Sequence, residues 1–118
     1  NIDVTDSNGI DITAITGAAT LDVIAGDAIT DSGTIAVSGA ATFTTKNADG
    51  AAITLNTSGA HTFGSVKAET YAVNGTTSAA GAITMDENAA MNIAGLTTTS
   101  TVHMLQVSVI DQRWYIKP

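Results

Sequence analysis

Residues 28–45 read Ala-Ile-Thr-Asp-Ser-Gly-Thr-Ile-Ala-Val-Ser-Gly-Ala-Ala-Thr-Phe-Thr-Thr. Three short runs alternate apolar with polar residues: Ala28-Ile29-Thr30, Thr34 to Val37, and Ala41 to Thr45. Ser32-Gly33 and Ser38-Gly39 separate them. Alternation with period two marks strands with one buried face, and Ser-Gly pairs mark turns. The tripeptide returns at Ala52-Ile53-Thr54 and Ala82-Ile83-Thr84, with a related Asp11-Ile12-Thr13 upstream, so its isoleucine steps by 17, then 24, then 30 in the numbering. After each tripeptide comes a second run (Thr34 to Val37, His61 to Val66, Ala90 to Thr97). A third follows (Ala41 to Thr45, Glu69 to Asn74, Thr101 to Val109). Short strands recurring in fixed order, at intervals of roughly 20 to 30 residues, are what stacked coils produce, each touching only its neighbours.

Composition points the same way. Ala, Thr and Gly supply 51 of the 118 residues and aromatic residues only 4%. A thick sandwich or bundle core needs more large side chains, whereas a thin stacked coil is filled by short ones. Helical periodicity is missing, because Gly or Thr interrupts every candidate segment. The expectation is an all-β chain: a parallel β-helix (β-solenoid) of four to five irregular coils over residues 1–100, and a distinct C-terminal strand segment over 101–118.

With 11 acidic and 4 basic residues the formal charge is −7, and the first 45 residues hold six Asp and no Lys or Arg. Nucleic acid and anionic membranes need clustered cations, so neither is expected as a partner. No 18-residue apolar run is present, so membrane insertion is not expected. Cysteine is absent, which leaves packing and backbone ladders to hold the fold. The last segment is bulkier than the rest. Met104 to Ile110 reads as one long strand, and Arg113, Trp114, Tyr115, Ile116 and Lys117 hold the only Trp and two of the four cations. These five residues are the candidate cap or partner contact, since an open solenoid end otherwise invites pairing.

The phrases Ile29 to Thr44, Ala52-Ile53-Thr54-Leu55-Asn56 and Thr62-Phe63-Gly64-Ser65-Val66 resemble the repeats of filamentous-haemagglutinin-type exoproteins. That resemblance implies a right-handed parallel β-helix, secretion to the cell surface by a two-partner route, and adhesion to a host glycan or protein. Short strands rich in Thr, Gly and Ala are also similar to phage tail-fibre shafts, where three chains intertwine. The Trp114-Tyr115 end suits that alternative. Contacts with further copies of the chain, head to tail or as a trimer, are expected on either reading.

Candidate chemistry is sparse. Asp3, Asp6, Asn8, Gly9 and Asp11 cluster around a turn, but Gly17 stands where a calcium loop opened by Asp6 needs Glu. His61 and His103 lack ligand spacing and read as ordinary strand or turn residues. Ser58 near His61 has no orienting acid nearby in sequence, and Asp86 and Glu87, being adjacent, point to opposite faces of a strand. A polysaccharide-processing β-helix enzyme is the third alternative. The Thr97 to Thr101 run resembles one row of an ice-binding face, for which Thr42 with Thr44 is the only second copy. The expectation is therefore a non-enzymatic extracellular or cell-surface protein with no cofactor and no metal.

Overall fold

The computed structural model describes residues 1–56, 61–87, 92–110 and 113–117; of 106–110 and 113–117 it describes the backbone alone. Every regular element among them is a strand, and the strands form two mainly parallel sheets. The first sheet runs in the order β1 (Ile2–Asp6), β4 (Leu21–Ala25), β6 (Ile35–Lys46), β8 (Thr62–Tyr71) and β10 (Ile93–Thr97), with β3 (Ile15–Ala18) paired to the start of β6. The second runs β2 (Ile10–Ile12), β5 (Ile29–Asp31), β7 (Ile53–Leu55), β9 (Ile83–Glu87), β11 (Val102–Ile110) and β12 (Arg113–Lys117). All pairings along both paths are parallel except that of β11 with β12. Successive strands in the chain therefore fall mostly in alternate sheets, and each return to a sheet adds a strand one position further along, about 4.8 Å on.

Register fixes columns of equivalent side chains. In the second sheet Ile10, Ile29, Ile53, Ile83 and Val102 form one inward column. In the first, Leu21, Ala41 and Val66 form one and Val23, Phe43 and Ala68 another. All six of these are at most 2% exposed. Phe43 meets Phe63 edge to face, with centroids 5.8 Å apart, the favoured aromatic geometry. The outward positions between them carry Thr30, Thr54 and Thr84, which stay at the surface or partly covered. The Ala-Ile-Thr repeats thus occupy one face, with the offsets of 24 and 30 read from sequence. The first offset is corrected: Ile10 pairs Ile29 and Asp11 pairs Thr30, so it is 19 rather than 17. A slip of two keeps every side chain on its own face, which is why alternation alone does not distinguish the two registers.

Two further readings shift. The repeat order makes Thr101 to Val109 a third strand, but Val102 joins the column of Ile83 in the second sheet. It makes Ala90 to Thr97 a second strand, whereas β10 stacks on the later half of β8. The second and third runs are continuous in β6 and β8, which turn a corner where register slips between Val37 and Ala40. Gly64 sits at this corner, where an added Cβ would stand 2.3 Å from the Ser38 carbonyl oxygen. Only glycine lets neighbouring backbones close to that distance.

A second corner is held by threonines. The buried Thr45 hydroxyl donates to the Ala51 carbonyl at 2.8 Å, and its register partner Thr70 donates to Ala79 at 2.8 Å. Thr98 donates back to the loop that Thr70 serves, to Gly81 at 2.6 Å. Each hydroxyl satisfies a carbonyl of a loop that leads into a strand of the second sheet.

Candidate functional site

The most unusual chemistry lies inside the molecule, on the side where β5, β7 and β9 hand over to the starts of β6 and β8. At the first crossing there the Ile15 N–H donates to the Thr34 carbonyl at 3.0 Å. The Ile35 N–H, of the residue that pairs with Ile15, donates to His61 Nδ1 at 3.0 Å. On the following strand of that sheet the Phe63 N–H donates to Glu87 Oε1 at 2.9 Å. Two buried side chains thus accept backbone N–H groups on successive strands. His61 and Glu87 are both 0% exposed.

Because Nδ1 of His61 accepts, its proton is assigned to Nε2, which donates to Asp31 Oδ2 at 2.7 Å. Asp31 is 5% exposed and its Oδ1 accepts the Asn56 N–H at 3.1 Å. The His61 ring also stacks on Phe63 with centroids 6.1 Å apart. The sequence offers no acid close to His61, and the structure supplies one from far upstream in the chain. It does not thereby make a catalytic base. Both ring nitrogens are already engaged, so no lone pair is free to take a proton from a nucleophile. Ser58 lies outside the described residues.

Glu87 and Asp86 do point to opposite faces, as their adjacency predicts: Asp86 is partly exposed and Glu87 buried. Burial raises the Glu87 carboxyl above its usual range, against the lowering effect of the Phe63 N–H, and Oε2 has no hydrogen-bond partner among the described residues. Burial also raises Asp86, with His103 and His61 opposing. On the outer face of the first sheet Lys67 Nζ lies 2.8 Å from Glu69 Oε1, and the Tyr71 hydroxyl donates to Glu69 Oε2. Burial pushes Glu69 up, but these two donors hold it below the ordinary carboxylate range.

The acidic turn does not converge. Asp6 Oδ1 accepts the Asn8 N–H at 2.9 Å, whereas Asp11, on the other sheet, accepts the hydroxyls of Thr30 at 3.0 Å and Ser32 at 2.8 Å. Among the described residues no group of three or more His, Asp or Glu is placed to hold a metal ion. Thr42 and Thr44 face outward, but their register partners are Asp22 and Ile24 on one side and Lys67 and Glu69 on the other. No flat threonine grid is built there. Of the C-terminal candidates, Arg113 to Lys117 form β12, antiparallel to Gln106–Ile110; their side chains lie outside the described residues. An open groove of about 590 Å³, lined by Asp6, Ile24, Lys46, Asn47 and Val73 among others, crosses the C-terminal ends of β1, β4 and β6.

A family described as repeats of unknown function (DUF5649) matches residues 1–69, more than half of the chain. The chain belongs to this repeat family. The matched DUF5649 repeats run from β1 into β8 and contain Asp31 and His61, while Glu87 and β9 to β12 lie beyond them. No curated protein and no solved structure matches the chain.

Proposed function

We propose that the two sheets are faces of a right-handed parallel β-helix and that the chain is a non-enzymatic, extracellular structural and adhesive element. The observation that carries this reading is the persistence of the same columns through five strands in each sheet. A parallel stack of that kind is a one-dimensional rod whose stability is shared between neighbouring rungs. The crossovers between parallel strands favour right-handed winding. The histidine and carboxylates that would otherwise suggest chemistry are spent on backbone N–H groups. The outward faces, rich in Thr and acidic residues, suit display and contact with a host glycan or protein.

Small-angle scattering tests the architecture, with an elongated particle close to 47 × 28 × 22 Å expected. Beads coated with the chain test the role. They are expected to be retained on glycan-bearing host cells above control beads, and to release no product from soluble polysaccharides. Loss of retention together with polysaccharide cleavage would overturn the proposal in favour of an enzyme.

One observation favours a second reading, a trimeric fibre segment. Strand β11 pairs with β9 only over Val102–Gln106, while Gln106–Ile110 pairs with β12, so this hairpin runs on past the ladder. A two-stranded ribbon alone is marginal and gains from other chains. A solution mass three times the 11.9 kDa of the chain would select the fibre.

A further inference from the structure

The step from Ile53 to Ile83, 30 in the numbering, carries a loop that the inward columns do not use. Strand β8 ends at Tyr71, which bridges to Ser78 in antiparallel fashion, and the Ala79 N–H returns to the Thr70 carbonyl at 2.9 Å. Between them the Ala72 N–H donates to the Thr77 carbonyl at 2.8 Å and the Gly75 N–H to the Ala72 carbonyl at 2.9 Å. Residues 72–77 therefore form a small loop closed at its own base, on which Val73, Asn74, Thr76 and Thr77 are exposed. A loop stitched in this way can carry bulk outward without disturbing the columns behind it.

We infer that Asn74, on this loop, is an acceptor for an N-linked glycan. The inference is independent of the adhesive role proposed above. Asn74-Gly75-Thr76 has the acceptor pattern of Asn, a residue other than Pro, then Ser or Thr. Such triplets arise by chance in a Thr-rich chain, so the weight falls on the geometry. Asn74 Oδ1 accepts the N–H groups of Thr76 and Thr77, both at 2.9 Å. Two backbone donors fix which atom of the carboxamide is oxygen, and with it the place of Nδ2. The Nδ2 group donates only to the exposed Thr77 hydroxyl, at 2.8 Å, a bond that water can replace. The Thr76 hydroxyl, the second group of the acceptor pattern, is exposed and has no hydrogen-bond partner among the described residues. Gly75 turns the chain between them at φ +74°, in the region that glycine adopts without strain. The Lys46 arm backs the turn, since an added Cβ on Gly75 would stand 3.1 Å from Lys46 Cε.

The turn between β6 and β7 shows the opposite arrangement. Asn47 Oδ1 also accepts a backbone N–H, that of Asp49 at 3.1 Å, and Gly50 also has a positive φ, +83°. There, however, the asparagine is partly buried, its Nδ2 is spent on the Gly26 carbonyl at 3.0 Å, and Asp49 stands where an acceptor needs Ser or Thr. One turn ties its amide nitrogen inward and the other presents it to solvent. The other triplet of the chain, Asn56-Thr57-Ser58, falls partly outside the described residues.

The reaction needs a transferase and a sugar activated at C1 as a diphosphate ester. Nδ2 of Asn74 attacks C1, the C1–O bond breaks and a C1–N bond forms. The diphosphate leaves with the electron pair, and one Nδ2 proton passes to a base of the transferase. Nothing is oxidised or reduced.

Peptide mapping of the chain isolated from the cells that make it tests the assignment. Trypsin separates the two triplets, because Lys67 lies between them, and the peptide 68–113 is expected to carry a sugar on Asn74. The folded chain, given a purified N-glycosyltransferase and uridine diphosphate glucose, is expected to gain the same mass increment on that peptide. Asn74→Asp keeps the oxygen that the two N–H groups need but has no nitrogen to modify, and Thr76→Val keeps the backbone and removes the hydroxyl. Both are expected to lose the increment without loss of thermal stability, and Thr76→Ser to retain it. An unmodified Asn74 in the natural chain would overturn the assignment. So would a folded chain that the enzyme leaves unmodified, whether or not the urea-unfolded chain accepts the sugar, because the loop would then not present its asparagine.

Discussion

The early rungs and the later rungs solve the same packing problem differently. Up to Thr45 the parallel partners are close in sequence, Ile2 with Leu21 and Leu21 with Ala41, at offsets of 19 and 20 in the numbering. There backbone carbonyls close the corner, through Ile15 N–H to Thr34 and Ser32 N–H to Ile12. From Ile29 with Ile53 onward the offsets grow to between 24 and 30, as for Ile53 with Ile83, before falling back to 19 for Ile83 with Val102, and the corner acceptors become His61 and Glu87. A short connection keeps the preceding carbonyl in register with the N–H it serves. Where a longer one separates the strands, a buried side chain meets the same obligation, since an unpaired buried N–H costs about 1–3 kcal/mol. Buried polar residues here accompany loop length and need no appeal to catalysis.

Replacing His61 is the most damaging way to probe that contrast. His61→Phe keeps the stacking surface but strips the acceptor from Ile35 and the donor from Asp31, so chemical denaturation should register a loss of about 3–5 kcal/mol. A loss under about 1 kcal/mol, the size of one ordinary hydrogen bond, would mean that the early and late corners do not differ as described. Glu87 gives a pH test. Its folded pKa is raised by burial, so its contribution is fully present below the unfolded carboxylate range and is lost as pH rises through the folded value. Glu87→Gln keeps an acceptor for Phe63 and cannot ionise. Its stability should therefore gain on the wild type as pH rises, and parallel pH profiles would contradict the assignment. Thr70→Val removes one corner hydroxyl and should cost about 1 kcal/mol by thermal unfolding. Smallest of all, Lys67→Met should leave the thermal midpoint where it is, because the Lys67 side chain is 49% exposed and its pairing with Glu69 is screened by water.

Much of this architecture is legible in sequence because period-two alternation writes each strand's buried face directly. Ile29, Ile53 and Ile83 are aligned correctly by their shared tripeptide, and of the corner pairs Ser32-Gly33 falls at a bend, while Ser38-Gly39 marks the corner inside β6. The register of Ile10 is not legible, since Asp11-Ile12-Thr13 mimics the tripeptide two positions late and such a slip preserves every face. The buried seam escapes notice for a different reason. Asp31, His61 and Glu87 are far apart in sequence, and only the stacking of rungs brings them to one side of the core. A usable signal does exist: Asp31 and Glu87 fall at inward positions of alternating runs, where an unpaired carboxylate is costly.

In-register columns are the central claim, and spin labelling tests them without background because the chain has no cysteine. Nitroxides at Thr54→Cys and Thr84→Cys, distant in sequence, should sit on adjacent strands about 5 Å apart at the backbone. Strong dipolar broadening of the doubly labelled spectrum is the predicted result. A spectrum equal to the sum of the two single labels would contradict the stacked-rung account.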